Sequence, residues 1–206
     1  MNQGISRLLW LLSIPSAYHL FQNLVGARRA RRKIVQEHMI PKPGDRVLDI
    51  GCGTGAILEF LPNVEYFGFD MSPHYIAYAR KMYGDRGRFK QERLNQVSIA
   101  NIPPSDLVIT TGVLHHLSDT EAVDLMRLAR DVLKPGGRLI TVDPTRCENR
   151  SFIENFQINQ DRGQYIRKPE QYRDLAEKVF DSVSLSVHHD LLYVPYSHAV
   201  LDAKKP

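Results

Sequence analysis

Cysteine is scarce in this chain, since only Cys52 and Cys147 among its 206 residues carry a thiol. Two cysteines cannot build a disulfide framework, and the lack of a Cys-x-x-Cys pair argues against a zinc module. A chain of this length can bury a core without cross-links or a structural metal. We therefore expect one domain in a reducing compartment, the cytoplasm, with no metal site.

Long apolar runs are also lacking. The candidate run, Leu8 to Ile14, is closed by Pro15 and is far shorter than the stretch of about 20 residues that spans a membrane. It reaches the lower size limit of a signal-peptide core, but no clear small-x-small cleavage site follows it. Apolar residues continue at helical spacing, which favours an amphipathic helix that packs on the domain or covers its site. The sequence thus predicts a helical extension at residues 1–40 and no membrane span.

Positive charge is in small excess, because the chain has 27 Lys and Arg and 23 Asp and Glu, which gives a net charge of +4. Much of the excess is local, in Arg28, Arg29, Arg31, Arg32 and Lys33. Clustered positive charge binds nucleic-acid phosphates without sequence demands. The rest of the chain has no recognisable RNA-binding appendage, so a charged helix face is the favoured interpretation. Contact of one of these arginines with a ligand carboxylate is an open alternative.

From residue 46 onward, short β-rich runs alternate with helical patterns, which is typical of βαβ units and a parallel sheet. The predicted strands cover residues 46–50, 66–69, 88–92, 107–111 and 138–142. The predicted helices cover residues 54–61, 73–83, 119–133 and 169–178. Two more strand patterns, at 183–187 and 196–203, are too close for a crossover helix, so this end of the sheet is predicted to be antiparallel.

A glycine loop follows the first predicted strand. The segment from Val47 to Gly55 reads VLDIGCGTG, so a buried strand runs into a loop whose backbone N–H groups face a ligand at the strand's C-terminal edge. Asp70 closes the second strand nineteen residues after Gly51, where a carboxylate can accept both hydroxyls of a ribose. Together the two features indicate an adenosine-containing cofactor.

The glycine spacing alone does not identify that cofactor. Gly51, Gly53 and Ala56 also satisfy the relaxed dinucleotide pattern Gly-x-Gly-x-x-Gly/Ala. Asp49 stands two residues before the first glycine, where a carboxylate gains from a nearby cation and gains nothing beside a pyrophosphate. A sulfonium cofactor with an ammonium group therefore fits better than NAD.

Four segments resemble motifs of the class I S-adenosylmethionine-dependent methyltransferases. They are VLDIGCGTG at 47–55, FDMS at 69–72, GVLHHL at 112–117 and LKPGGRL at 133–139. The resemblance implies an α/β, Rossmann-like doubly wound seven-stranded sheet, mostly parallel with an antiparallel C-terminal strand pair. The motifs match the family over residues 45–143. We therefore predict a methyltransferase domain at 41–206, with a substrate-region insertion at about 144–178, behind an N-terminal helical lid or extension at 1–40.

The resemblance implies a site for S-adenosylmethionine and its product S-adenosylhomocysteine. Asp49 would help to fix the methionine end of the cofactor. Gly51, Cys52 and Gly53 would pass beneath it. Thr111, at the end of the fourth strand, would offer its backbone carbonyl to the ammonium group.

The chain departs from the family at the adenine. By the same resemblance, Asp70 would hold the ribose and Met71 would pack on the adenine. Arg93 stands where the family often has an Asp that accepts from the adenine amino group, and a guanidinium cannot accept a hydrogen bond. Either Glu92 takes over that contact or backbone groups near Arg93 and Leu94 make it.

Methyl transfer from a sulfonium is an in-line displacement, so much of the catalysis can come from holding the acceptor in line with the methyl carbon. A base is needed only when the acceptor must lose a proton. His115 and His116 follow the fourth strand, at the edge where open α/β sheets place their sites, and histidine can act as a base near neutral pH. A structural or cofactor-packing role is the alternative for both.

Arginines and tyrosines follow the fifth strand, and Arg162, Tyr165 and Arg167 are the candidate acceptor-binding residues. Arginine recognises carboxylate and phosphate through a planar fork, which suggests an anionic small-molecule acceptor. A solvated charged face is the alternative. A catalytically silent cofactor-binding partner or scaffold of the same fold is the second functional hypothesis. A nucleic-acid methyltransferase is disfavoured because no Asn/Asp-Pro-Pro-Tyr segment occurs.

Overall fold

The structure is a computed structural model that describes residues 25–148, 158 and 163–206. Its strands are β1 Arg46–Ile50, β2 Glu65–Asp70, β3 Gly87–Gln91, β4 Ser105–Thr111, β5 Leu133–Pro144, β6 Ser182–His188 and β7 His198–Lys204. Its α-helices within those ranges are α1 Ala27–Ile34, α2 Pro73–Tyr83, α3 Gln96–Ile99, α4 Asp119–Val132 and α5 Pro169–Glu177.

The strands form one seven-stranded sheet in the order β3-β2-β1-β4-β5-β7-β6. The first five strands pair in parallel, whereas β7 lies antiparallel between β5 and β6. This arrangement confirms the predicted Rossmann-like sheet with its antiparallel C-terminal pair. The strand order reverses between β1 and β4, and open α/β sheets bind ligands at the carboxyl ends of the strands at such a point.

Helices cover both faces of the sheet. On one face, α4 and α5 bury Met126 and Tyr172 in the same apolar layer as Leu139 of β5. On the other face, α1 and α2 bury Ile34 and Ile76 in the apolar layer that contains part of β1. Because the central strands are covered on both sides, their sequences are nearly continuous apolar runs.

Two helices begin with a side-chain cap. Ser118 precedes α4, where its Oγ accepts from the backbone N–H of Glu121 at 3.4 Å and the Glu121 carboxylate accepts from the Ser118 N–H at 3.0 Å. Ser72 precedes α2 and accepts from the N–H of Tyr75 at 3.3 Å, with Pro73 as the first helical residue. Each cap gives a partner to N–H groups that the helix itself leaves unpaired.

The helix predicted over residues 54–61 is wrong. The chain forms only a 3-10 turn at Ala56–Glu59. Gly55 has a left-handed φ of 71° directly before the turn, and Pro62 disfavours helical backbone at Leu61. A turn confined between these two positions has no room to grow into a helix.

The predicted N-terminal extension is described from residue 25 onward. A π-helical turn at Val35–Met39 follows α1, and both elements pack against the second apolar layer. The apolar run at Leu8 to Ile14 lies outside the described residues. Within the described ranges, none of the helices has the length and apolar character of a membrane span.

The basic run on α1 is engaged within the protein. Arg28 pairs with Glu59, and Lys33 lies 2.8 Å from a carboxylate oxygen of Asp190. Arg29 donates to the backbone carbonyl of Asp190 at 2.7 Å. Exposed pairs of this kind contribute little stability individually, but together they connect α1 to the 3-10 turn at Ala56–Glu59 and to the loop after β6. They support the interpretation of the run as a charged helix face.

Two histidines meet where the N-terminal segment crosses the edge of the sheet. The rings of His38, in the π-helical turn, and His188, at the end of β6, lie edge to face with 4.8 Å between centroids. Burial is the main cause that lowers the pKa of each ring below its usual range, and His188 lowers the pKa of His38 further. The titratable and charged neighbours of the two rings are Lys33, Glu37, His189, Asp190 and Asp202.

We expect this pair to make the fold less stable in mild acid. A pKa that is lower in the folded state means that the unfolded chain binds protons first, so this contribution to stability is lost as the pH falls through the usual histidine value of 6.5. The drop in free energy of unfolding between pH 7.5 and 5.5, measured by urea denaturation, should be smaller in His188→Asn than in the wild type. His74→Asn, an exposed site on α2, should retain the wild-type drop. Equal drops in His188→Asn and the wild type would contradict the expectation.

Candidate functional site

The loop after β1 has a left-handed backbone that favours glycine. Gly51 and Gly53 have φ values of 75° and 54°, a region that other residues rarely adopt. A Cβ on Gly51 would come within 2.4 Å of the Val113 side chain, whereas a Cβ on Gly53 would meet no described atom within 4 Å. The N–H groups of Gly51 and Cys52 donate to the carbonyl of Phe69 at 2.8 and 3.0 Å. The loop is therefore tied to the end of β2 and leaves an open surface at Gly53.

Asp70 lies at the end of β2 between two backbone donors. Its Oδ2 accepts from the N–H of Gly53 at 2.9 Å, and its Oδ1 accepts from the N–H of Ser72 at 2.8 Å. These bonds fix the orientation of the carboxylate relative to the glycine loop. Because an ionised carboxylate has about four lone-pair positions, it can still accept from two further hydroxyl groups.

Asp49 lies beneath the glycine loop and is 4% exposed. The Tyr66 hydroxyl donates to its Oδ2 at 2.6 Å. Burial raises the pKa of Asp49 to about 7. The hydrogen bond from Tyr66 and the charge of Arg31 on α1 lower this pKa, whereas the charge of Asp70 raises it. A cationic ligand group at Asp49 would favour the charged carboxylate.

The residues expected at the adenine are arranged around the end of β3. The Arg93 guanidinium lies 3.0 Å from Glu121 of α4, so its side chain is engaged there. Glu92 pairs with Lys90 and accepts from Ser98, so much of its accepting capacity is used. These contacts favour backbone groups near Arg93 as the adenine partner.

Three more of the expected cofactor residues differ in exposure. Met71, just after β2, is 67% exposed and offers an apolar surface at the rim of the loop. Thr111 is exposed at the end of β4, whereas Leu94 is buried in the first apolar layer. A ring that packs on Met71 would cover apolar surface that the chain leaves in solvent.

The end of β5 brings a buried carboxylate to the predicted histidines. Asp143 is 1% exposed, and its Oδ1 lies 2.9 Å from Nδ1 of His115 and accepts from the His115 backbone N–H at 3.2 Å. The ring of the exposed His116 lies against that of His115, with 4.0 Å between centroids. A proton on Nδ1 that is donated to Asp143 leaves Nε2 of His115 as the basic nitrogen.

The segment before α5 holds the residues predicted to bind the acceptor. Tyr165 is 40% exposed, and its backbone N–H donates to the carbonyl of His115 at 2.9 Å. The segment thus lies beside the histidines. Arg162 lies outside the described residues.

Arg167 has a different environment from the one predicted. Its side chain is 6% exposed, and its Nε and Nη2 donate to the Asp119 carboxylate at 2.9 and 2.7 Å. Three further bonds go to backbone carbonyls, those of Leu114 at 2.9 Å, Leu117 at 2.6 Å and Tyr165 at 3.2 Å. A guanidinium has five N–H donors, so these contacts leave none for an anionic acceptor. These contacts favour a structural role for Arg167 over the predicted acceptor contact.

A family profile described as a methyltransferase domain matches residues 41–183 of this chain. The chain belongs to the class I S-adenosylmethionine-dependent methyltransferases. The fold is similar to the solved structure of the S-adenosylmethionine-dependent methyltransferase SibL in its apo form, with a TM-score of 0.71. The comparison covers 100% of this chain and 60% of that one, and the two sequences are 18% identical. That likeness is one of fold.

Curated relatives match part of this chain. Desmethylxanthohumol 6'-O-methyltransferase of Humulus lupulus is 32% identical over 122 residues, which are 54% of this chain and 32% of that protein. Trans-aconitate 2-methyltransferase of Methylobacterium nodulans is 35% identical over 113 residues, which are 52% of this chain and 41% of that protein. The chain thus spans less than half the length of either relative.

The arrangement of the methyltransferase site fits the family's cofactor. The surface at Gly53 is open, and Asp70 has lone pairs left for the hydroxyls of a ribose. Asp49 is a buried carboxylate with a single described donor, Tyr66, and is suited to an ammonium group. These residues would hold S-adenosylmethionine along the edge formed by β1 and β2.

Sequence reasoning missed two polar residues of this site, Asp143 and Tyr66. Asp143 ends a predicted strand on the ligand-binding edge, and this position was the available signal. Tyr66 begins a predicted strand and looks like an ordinary core aromatic. Its bond to Asp49 depends on the pairing of two strands.

The structural role of Arg167 predicts a loss of stability when the side chain is replaced. Arg167→Met should lower the free energy of unfolding by about 1–3 kcal/mol, because buried backbone carbonyls lose their donors. Guanidinium chloride denaturation measures the change. Lys168→Met is the matched control, since the Lys168 side chain is 59% exposed, and it should shift stability by no more than about 0.5 kcal/mol. Equal stabilities of the two variants would contradict the assignment.

Proposed function

We propose that this chain transfers a methyl group from S-adenosylmethionine to a hydroxyl oxygen of a small molecule. The observation that carries the proposal is the Asp143–His115 pair, which lies with the His116 ring at the end of β4 and β5. Similarity to an O-methyltransferase of Humulus lupulus supports an oxygen acceptor.

The cofactor, when bound, supplies an electrophilic methyl group on a sulfonium. The glycine loop and Asp70 would orient it, and Asp49 would pair with its ammonium group. In-line transfer requires the acceptor oxygen on the far side of the methyl carbon from sulfur, so positioning supplies much of the rate. His115 would take the acceptor proton on Nε2 while Asp143 keeps its Nδ1 protonated and stabilises the resulting imidazolium.

A carboxylate acceptor is the second candidate. Similarity to trans-aconitate 2-methyltransferase favours it, and it preserves the anionic acceptor predicted from the arginines. A carboxylate is already ionised at neutral pH, so its methylation needs no base. The two candidates therefore differ in whether turnover depends on the Asp143–His115 pair.

Cofactor binding is tested by calorimetric titration with S-adenosylhomocysteine, with NAD as the control ligand. Asp70→Asn should weaken S-adenosylhomocysteine binding about tenfold or more, because hydrogen bonds to a charged group contribute roughly 1.5–3 kcal/mol each. Asp85→Asn, at an exposed position after α2, should bind like the wild type. Binding of NAD in place of S-adenosylhomocysteine, or of neither, would contradict the proposed function. Binding without turnover on any acceptor would favour the silent-partner hypothesis.

The role of the histidine pair is tested with acceptors found by screening phenols, sugar phosphates and carboxylates. With a hydroxyl acceptor, His115→Gln and Asp143→Asn should each lower kcat by about 10²-fold or more. The double variant should be little worse than the poorer single one, because the two residues act as a unit. S-adenosylhomocysteine affinity should stay within twofold of the wild type, and His74→Gln serves as the control.

An unchanged kcat of Asp143→Asn on a hydroxyl acceptor would argue against the base. If only carboxylates turn over, and all variants match the wild type, the second candidate is correct. A parallel series with His116→Gln distinguishes which ring the reaction needs.

A further inference from the structure

A buried tyrosine lies in a slot made by two glycines. The Tyr66 ring is 1% exposed and packs against Phe89 with 5.6 Å between centroids. A Cβ on Gly68 would come within 3.0 Å of this ring, and one on Gly87 within 2.7 Å. The ring therefore fits because neighbouring positions of β2 and β3 lack side chains.

The strand register directs this ring toward Asp49. Tyr66 pairs with Val47, and Gly68 pairs with Asp49, in the parallel pairing of β1 and β2. Side chains two residues apart on adjacent strands share a face of the sheet. The ring thus extends over Gly68, and its hydroxyl reaches Oδ2 of Asp49 at 2.6 Å.

We propose that Tyr66 is a positioning residue for cofactor binding, whose hydroxyl orients the Asp49 carboxylate toward the cofactor's ammonium group. This inference rests on the proposed function, because it assigns the ammonium group to Asp49. The phenol acts on one oxygen of the carboxylate. The other oxygen is the one that would receive the ammonium group.

The hydrogen bond from Tyr66 also affects the charge of the Asp49 carboxylate. Burial raises the pKa of Asp49 to about 7, and the hydrogen bond from Tyr66 works against that rise. The other charged groups that act on Asp49 are Asp70, which raises its pKa, and Arg31, which lowers it. The Cys52 thiol lies near Asp49 and Asp70, and burial raises its pKa and keeps it neutral.

Removal of the Tyr66 hydroxyl is expected to weaken the binding of S-adenosylhomocysteine. Without the phenol, the pKa of Asp49 rises further, so more of the protein carries a protonated Asp49 at neutral pH. A protonated carboxyl offers no charge to an ammonium group, so binding must first release a proton. S-adenosylhomocysteine should therefore bind Tyr66→Phe more weakly at neutral pH, and the difference should shrink as the pH rises.

The test is calorimetric titration of wild type and Tyr66→Phe with S-adenosylhomocysteine between pH 6 and 8.5. We expect about fivefold weaker binding at pH 7 if the pKa of Asp49 rises by one unit from about 7, because the ionised fraction falls from about a half to about a tenth, and a pH midpoint displaced upward in the variant. Tyr83→Phe is the matched control, because Tyr83 belongs to the same apolar layer and its hydroxyl is not the group that contacts Asp49. Its pH profile should match the wild type.

A second ligand separates a specific role from a structural one. The des-amino analogue of S-adenosylhomocysteine lacks the ammonium group, so Tyr66→Phe should bind it as the wild type does. Equal weakening of both ligands, or of neither, would overturn the proposal. In an Asp49→Asn background, the additional Tyr66→Phe change should have no further effect on S-adenosylhomocysteine affinity, because Tyr66 acts through Asp49.

The outcomes for the two proposals are distinct. A wild-type protein that binds neither ligand contradicts the proposed function and this role of Tyr66 with it. Wild-type binding of S-adenosylhomocysteine with an unchanged pH profile in Tyr66→Phe overturns the role of Tyr66 alone. Circular dichroism melting of each variant checks that the ring slot still folds.

Discussion

The carboxyl edge of the sheet depends on how it accommodates three carboxylates that are wholly or partly removed from water. Asp49, Asp70 and Asp143 end or nearly end three of the parallel strands, and a carboxylate removed from water is costly unless donors surround it. Each of the three receives donors from another segment of the chain: Asp49 from the Tyr66 phenol, Asp70 from backbone N–H groups, and Asp143 from His115. The bonds that lower this cost also join the loops that form the site.

These bonds follow from the topology. The chain leaves β1 toward β2 and β3 and returns to β4 on the other side of β1, so the loops after β1 and β4 separate above the sheet. The bond from Gly53 to Asp70 joins the first loop to the second strand, and that from His115 to Asp143 joins the fourth loop to the fifth strand. Each loop is thus fixed to its outer neighbour, and the two loops flank the switch point at which open α/β sheets bind ligands.

The sequence predicts most of the strands well because they are short local runs rich in apolar residues with turn residues at their ends. The glycine loop and the Ser118 cap are also local features, so the sequence alone can reveal them. The failure at residues 54–61 shows the limit of periodicity, because the left-handed backbone of Gly55 and the following Pro62 leave room only for a 3-10 turn where the apolar spacing favours a helix. The contact between Asp49 and Tyr66 spans 17 residues and that between Asp143 and His115 spans 28, so both require a strand register that no local pattern defines.

Arg167 shows why residue type alone does not define a ligand contact. An arginine near the carboxyl edge suggests an anionic ligand, but this one binds the carbonyls of Leu114 and Leu117, on either side of the histidines. Its own carbonyl accepts from the hydroxyl of Thr145, just after β5, at 2.9 Å. The segment that follows the fifth strand therefore returns to hold the turn that follows the fourth. A guanidinium suits this task because its donors point in several fixed directions, and an ammonium group could not bind both ends of the turn and Asp119 with the same geometry. The geometry of the histidines, and with it any proton transfer, is thus set by a residue that need not touch the acceptor.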